Sequence, residues 1–129
     1  MSGFLLDTNV ALFAVANSAR LSPTVRNIVS SGPNLLSVVS YWEVIIKSMK
    51  GGLEVGDPRV WWAQALKHLV AVPLPVRPEH IAGVYDLPSI HQDPFDRLLI
   101  AQATAESFTL VTTDSNISRY ASGNLRVMV

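Results

Sequence analysis

The chain has 129 residues, about half of them hydrophobic, a size and composition that suit one domain (1–129) with a real core. Ten basic and ten acidic residues balance, so no global positive field draws in nucleic acid, and such binding must come from local patches or bound ions. The absence of cysteine excludes disulfides, thiolate–zinc sites and cysteine nucleophiles, and no apolar run approaches the roughly 20 residues of a membrane span.

The opening "MSGFLLDTNVALFAVA" lacks a basic leader and carries Asp7 within its apolar part, so it does not read as a secretory signal, and a cytoplasmic protein is expected. "FLL" (4–6) is a short strand, followed by an apolar helix from Thr8 to about Ala16. "LSPTVRNIVSSG" (21–32) predicts a helix capped by Ser22 with Pro23 at its first position. "NLLSVVS" (34–40) predicts a strand that runs into a helix from Tyr41 to Lys50, stopped by Gly51 and Gly52. Asp57 and Pro58 open another helix, "VAVPLPV" (70–76) is a strand, and "RPEHIAGVYDL" a short helix. A nearly all-apolar helix over about 94–107 then leads to the strand "FTLVTT" (108–113), and "LRVMV" (125–129) is the last strand. Strands without polar alternation, separated by helices, argue a parallel sheet covered by helices on both faces.

The acids fall where such a sheet binds ligands. Asp7 directly follows the first strand, Glu43 lies in the first turn after the second, and Asp114 directly follows "FTLVTT". Ligands of open α/β sheets bind outside the carboxyl ends of the strands. Asp96 belongs to the same edge, because its helix must return to feed a strand that ends there. Each acid also has a purely structural reading. Asp7 and Asp114 suit helix caps, "SYWE" (40–43) has the form of a capping box, and "DPFD" (93–96) has Asp93 as cap with Asp96 in the dipole-favoured first turn. Gathered together, however, carboxylates repel, and the repulsion grows as water is excluded. Hard oxygen ligands in such a set point to Mg²⁺ or Mn²⁺. Asp93 then holds the helix end while Asp96 faces the other acids.

Four blocks carry a resemblance: "LLDTNV" (5–10), "SYWEVIIK" (40–47), "HQDPFDRLLIAQA" (91–103) and "LVTTDSNI" (110–117). In this order, on a chain of this size, they resemble a PIN-domain ribonuclease, more narrowly a VapC-type toxin of a bacterial toxin–antitoxin pair. The resemblance spans the whole chain. It implies an α/β three-layer sandwich with about five parallel strands flanked by helices. It implies a metal-dependent endoribonuclease leaving a 5′-phosphate, with Asp7, Glu43, Asp96 and Asp114 as the catalytic acids. Asp7, Asp96 and Asp114 are the implied ligands of Mg²⁺ or Mn²⁺, which would activate water and neutralise phosphate charge. Glu43 fits a ligand, an orienter of water or a base. Thr8 and Asn9 match the family's polar pair after the first acid, and Thr112 or Thr113 its hydroxyl beside the last. Ser115 and Asn116 stand where some relatives carry a further acid, which leaves a second metal position open.

Lys47, four residues after Glu43, suits a helix ion pair or a phosphate contact. Lys50, Arg97 and Arg119 are further candidate phosphate contacts, and His91 reads as a loop or hydrogen-bonding residue. Trp62, Ala65, Leu66 and Leu69 form an apolar stripe; Trp61 falls off it, either at the core's edge or in a partner-binding patch. The first helix, with Leu12 and Phe13, is apolar nearly all round, more than one buried face requires. The resemblance supplies the partners: RNA, a cognate antitoxin whose tail lies in a groove between helices, and a homodimer, with no membrane association. Two other acid-pocket folds fail. A receiver domain needs adjacent acids and a late lysine, yet no lysine follows Lys67; a haloacid-dehalogenase-type phosphatase needs an acid where Asn9 stands. The alternatives are a free-standing RNA-processing nuclease and a non-catalytic PIN-like module that binds RNA or protein.

Overall fold

The computed structural model describes residues 3–90, 92–120 and 126–128. Five strands, β1 (Phe4–Leu6), β2 (Asn34–Ser37), β3 (Ala71–Leu74), β4 (Thr109–Val111) and β5 (Arg126–Met128), form one sheet in the order β3-β2-β1-β4-β5. Every neighbouring pair is parallel. The helices are α1 (Thr8–Ala16), α2 (Pro23–Ser31), α3 (Val38–Met49), α4 (Pro58–His68), α5 (Pro78–Val84), α6 (Pro94–Glu106) and α7 (Ser115–Ser118), with a 3-10 turn at Ser18–Arg20.

Alternation along the strands builds two cores. Leu6, Leu36 and Val111 point to one face, against Val10, Ala11 and Ala14 of α1, Val25 of α2 and Trp61 and Ala65 of α4. Leu5 and Leu110 point to the other, against Leu99, Ile100 and Ala103 of α6 and Ile117 of α7. Both faces are therefore covered, as the unalternating strands predicted. Helix α3 serves both cores, through Val44 on the first side and Val39 on the second.

Strand β1 is central. The chain leaves it for β2 on one side, and β4 pairs on its other side. The crevice at the carboxyl end of β1 is thus the topological switch point, the binding place of doubly wound sheets.

Two sequence expectations change here. Helix α3 begins at Val38, not Tyr41, with Ser37 as its cap accepting from the Val39 amide at 3.0 Å. The β-branched pair Val38–Val39 reads as strand, but the cap and the packing of Val39 prevail over propensity. Ser40 is consequently not a cap, and Glu43 lies in the second turn of the helix. In α4 the buried residues are Trp61 and Ala65, and Leu69 at its C-cap continues the line at the same four-residue interval. Trp62 and Leu66 flank that line half-buried, and the Trp62 ring stacks on Tyr41 of α3 with centroids 4.7 Å apart. Trp61 is therefore a core residue at the floor of a groove, not an exposed patch.

Val70, just past α4, has φ of +48°, a left-handed conformation that crowds a β-branched side chain, and it is 84% exposed. Val70→Gly removes that crowding without losing buried surface. It is expected to stabilise the fold by about 1 kcal/mol, after allowing for the freer unfolded chain. Urea unfolding should show a higher midpoint at unchanged slope; an equal or lower midpoint would contradict the strain.

Candidate active site

Four elements deliver acids to the switch point. Asp7 ends β1 and is fixed by its amide, which donates to the Val111 carbonyl of β4 at 2.9 Å. It occupies the N-cap position of α1, yet its side chain makes no capping bond. Its Oδ2 instead accepts from the Thr112 hydroxyl at 2.7 Å, and Thr112 Oγ1 in turn accepts from the Asp114 amide at 3.0 Å. Thr112 is fully buried and Thr113 exposed, so of the two candidate hydroxyls Thr112 is the one built into the site.

Asp7, Glu43 and Asp96 are all buried, at 3%, 3% and 9% exposure. Burial pushes the Asp7 carboxyl up to about 7, against the opposing hydrogen bond from Thr112, and the charges of Asp96 and Glu43 push the same way. These three acids therefore share one electrostatic neighbourhood. Glu43 Oε2 pairs with Lys47 Nζ at 2.6 Å, while its Oε1 is buried with no hydrogen-bond partner among the described residues. Partial burial opposes the charge on Lys47, but the bond to Glu43 and the fields of Glu43, Asp93 and Asp96 outweigh it and hold the ammonium above the ordinary lysine value.

Asp93 behaves as the cap of α6: its Oδ1 accepts from the Phe95 and Asp96 amides at 2.9 and 3.2 Å. Asp114 is half-buried and caps α7 with one oxygen, which accepts from the Asn116 amide at 2.8 Å. Thr8 is buried, its hydroxyl 2.8 Å from that of Ser40, and this contact locks the start of α1 to α3. Asn9 is exposed. Arg97 works as a staple: its guanidinium donates to the carbonyls of Val84 and Pro88 and to the Tyr120 hydroxyl. Lys50 and Arg119 are exposed, and His91 lies outside the described residues.

The sequence reading missed a buried polar chain beneath the acids. Ser37 Oγ donates to Gln102 Oε1 at 2.6 Å, and Gln102 Nε2 donates to the Pro75 carbonyl at 3.2 Å. His80, fully buried, accepts at Nδ1 from the Arg77 amide and stands 2.8 Å through Nε2 from Glu106. This chain ties α3, α5 and α6, two of which carry Glu43 and Asp96, to one another. Only the polar Gln102 within the apolar run "LLIAQA" could have signalled it.

The donor set suits a hard cation: carboxylate oxygens, buried, mutually repelling, with an unpartnered Oε1 on Glu43. Among the described residues no three acids already close on one point as a finished ion cage. Glu43 is held instead by Lys47.

A separate groove of about 640 Å³ runs between α1, α4 and the segment before α4. Leu12, Phe13, Leu53, Val55 and Trp61 line it, and the Arg20 guanidinium lies 4.3 Å above the Phe13 ring. No helix among the described residues is long and apolar enough to cross a membrane.

The PIN domain pattern matches residues 4–123. Ribonuclease VapC22 of Mycobacterium tuberculosis is 29% identical over 119 residues, 91% of each chain. The fold is shared with VapBC2 from Rickettsia felis, solved bound to a promoter DNA fragment, at TM-score 0.70 and 17% identity over 98% of this chain and 97% of that one. FitAcB from Neisseria gonorrhoeae also matches, at TM-score 0.61 and 20% identity over 98% and 96%.

The raised Asp7 carboxyl makes a signed prediction. A carboxyl whose folded value lies above its unfolded one loses stability as pH rises from about 4 through about 7. In chelator, Asp7→Asn should therefore stabilise the protein at pH 8 by roughly 2–4 kcal/mol, and the gain should shrink as pH falls toward 4. A gain independent of pH, read from urea midpoints, would contradict the assignment. Asp93→Asn keeps a competent cap and should change stability by only a few tenths of a kcal/mol.

Proposed function

The chain belongs to the PIN-domain family, and from that premise we propose that it is a divalent-metal-dependent endoribonuclease, the toxin of a bacterial toxin–antitoxin pair acting in the cytoplasm. The observation that carries the reading is the electrostatic coupling of buried Asp7, Glu43 and Asp96 at the switch point of the sheet. The likeness to Ribonuclease VapC22 supports RNA as the substrate.

Asp7 and Asp96, with Asp114 at the rim, are the residues suited to hold Mg²⁺ or Mn²⁺. Such an ion, when bound, supplies positive charge and Lewis acidity at the phosphodiester. The protein's own residues do the rest. Thr112 fixes the Asp7 carboxylate and, through the Asp114 amide, the height of the following turn. The Thr8–Ser40 contact sets α3 against α1, and thereby Glu43 against Asp7. Glu43, paired with Lys47, orients the attacking water and accepts its proton. Attack on phosphorus breaks its bond to the 3′-oxygen, which takes a proton from solvent and leaves as a 3′-hydroxyl, and the phosphate stays on the 5′-oxygen. Asn9, exposed two residues after Asp7 and also lining the groove beside α1, is an RNA contact in this reading. Arg97 acts indirectly, by holding α5 and the 88–90 turn against α6.

The groove is the antitoxin's place in this reading. Its apolar lining, Leu12, Phe13 and Trp61 above all, suits an extended or helical tail, and solved relatives are toxin–antitoxin complexes. A homodimer completes the assembly.

Asp96→Asn should lower RNA cleavage by about 100-fold or more with the fold intact. Chelator should abolish cleavage in the wild type, and Mn²⁺ or Mg²⁺ should restore it. Full cleavage by Asp96→Asn, or cleavage undiminished in excess chelator, would overturn the metal-dependent reading. Trp61→Ala would hollow the core and cost about 3–5 kcal/mol, so it is a poor probe of binding. Phe13→Asp is the better one. It should weaken antitoxin binding at least about tenfold, the worth of roughly 1.4 kcal/mol, while cleavage stays near wild type. Unchanged antitoxin affinity would remove this groove from consideration.

A further inference from the structure

Resting on the metal-dependent reading above, we propose that Lys47 is the site's built-in second cation: it occupies Glu43 and limits the RNA-free protein to one divalent ion per chain.

The geometry is specific. Lys47 Nζ lies 2.6 Å from Glu43 Oε2. The carboxylate is 5% exposed and the lysine side chain 46%, so the pair joins a buried acid to a half-exposed base. Its attraction extends beyond its partner to Asp93 and Asp96, so it sits in the field of the acids on α3 and at the start of α6. No three acids among the described residues form a closed cage, and the Lys47 pair is where Glu43 is engaged instead.

Charge arithmetic gives the consequence. Asp7, Glu43, Asp96 and Asp114 are four formal negative charges, and Lys47 returns one. With Lys47 in place, one divalent ion leaves the four acids one net negative charge and a second would make the site net positive, whereas without Lys47 two ions reach neutrality. The positions after Asp114 are Ser115 and Asn116, so no further acid is supplied there. Asp93 is committed to two backbone amides at the start of α6. Two-ion nucleases need carboxylates shared between their ions. Glu43 is the acid suited to that duty, and Lys47 holds it. The i, i+4 spacing alone would count as an ordinary surface pair worth a few tenths of a kcal/mol. The difference here is that one partner is buried among other acids.

The test is Mn²⁺ titration of the metal-stripped full-length chain without RNA, with free Mn²⁺ read by electron paramagnetic resonance. Wild type and Lys47→Arg, which keeps the charge, should bind one ion per chain. Lys47→Met should bind two, and its melting temperature in chelator should fall by several degrees and recover with Mn²⁺. Two ions in wild type, or one in all three proteins, would overturn the proposal. A Lys47→Met variant that only loses RNA affinity would make Lys47 a phosphate contact and overturn it equally. If wild type binds no Mn²⁺ at all, the metal-dependent reading falls and takes this proposal with it. If Asp96→Asn abolishes Mn²⁺ binding while Lys47→Met leaves the count at one, the metal reading stands and only the role of Lys47 fails.

Discussion

Everything at the carboxyl edge of this sheet answers one constraint: the carboxylates of Asp7, Glu43 and Asp96 are buried beside one another, with the Lys47 ammonium paired to one of them. Repulsion of that kind is costly where water is excluded. The fold opposes it with neutral donors and with the Lys47 ammonium. Thr112 gives its hydroxyl to Asp7, Lys47 pairs with Glu43, and backbone amides hold Asp93 and Asp114 at the helix starts. Burial above all, with the charges of Asp96 and Glu43 adding to it, still pushes the Asp7 carboxyl up to about 7, so its charged form is left short of stabilisation. The shortfall is what an ion would correct. A site tuned this way gives up stability in the metal-free chain and recovers it on binding.

The scaffold makes the arrangement rigid. Asp7 and Thr112 follow adjacent strands, and their contact spans 105 residues of sequence. Glu43 and Asp96 ride on helices whose relative placement is set by the buried Ser37–Gln102 bond. A polar chain in that position is exacting. Every member must find its partner, and a single misplacement would move two of the acids together. The apolar groove lies around α1 and α4, the face covered by the first core, and shares α1 with the active site. A ligand in the groove would therefore touch the helix that begins directly after Asp7.

Much of this was legible in the sequence. The strands, the caps Ser22, Asp57 and Asp93, and the gathering of acids at one edge follow from local patterns and from the geometry of parallel sheets. The misreadings share a cause, which is long-range packing. Nothing local says that Ser37 rather than Ser40 caps α3, because the choice depends on Gln102 sixty-five residues away. Trp61 and Trp62 are adjacent and similar in hydrophobicity. Trp61 packs into the first core, and Trp62 lies against it with its ring stacked on Tyr41, a placement set by residues distant in sequence. Thr112 and Thr113 differ only in which side of the chain faces Asp7. Arg97 looks like a phosphate ligand because it follows Asp96, but its guanidinium is taken by carbonyls of a segment that sequence cannot place.

The most direct test of the central claim, that the Asp7–Asp96 charge is balanced by a divalent ion, is anomalous diffraction at the manganese edge from crystals soaked in Mn²⁺. The account predicts a peak within coordination distance of both Asp7 and Asp96. A peak elsewhere, or none at these two residues under saturating Mn²⁺, would contradict it.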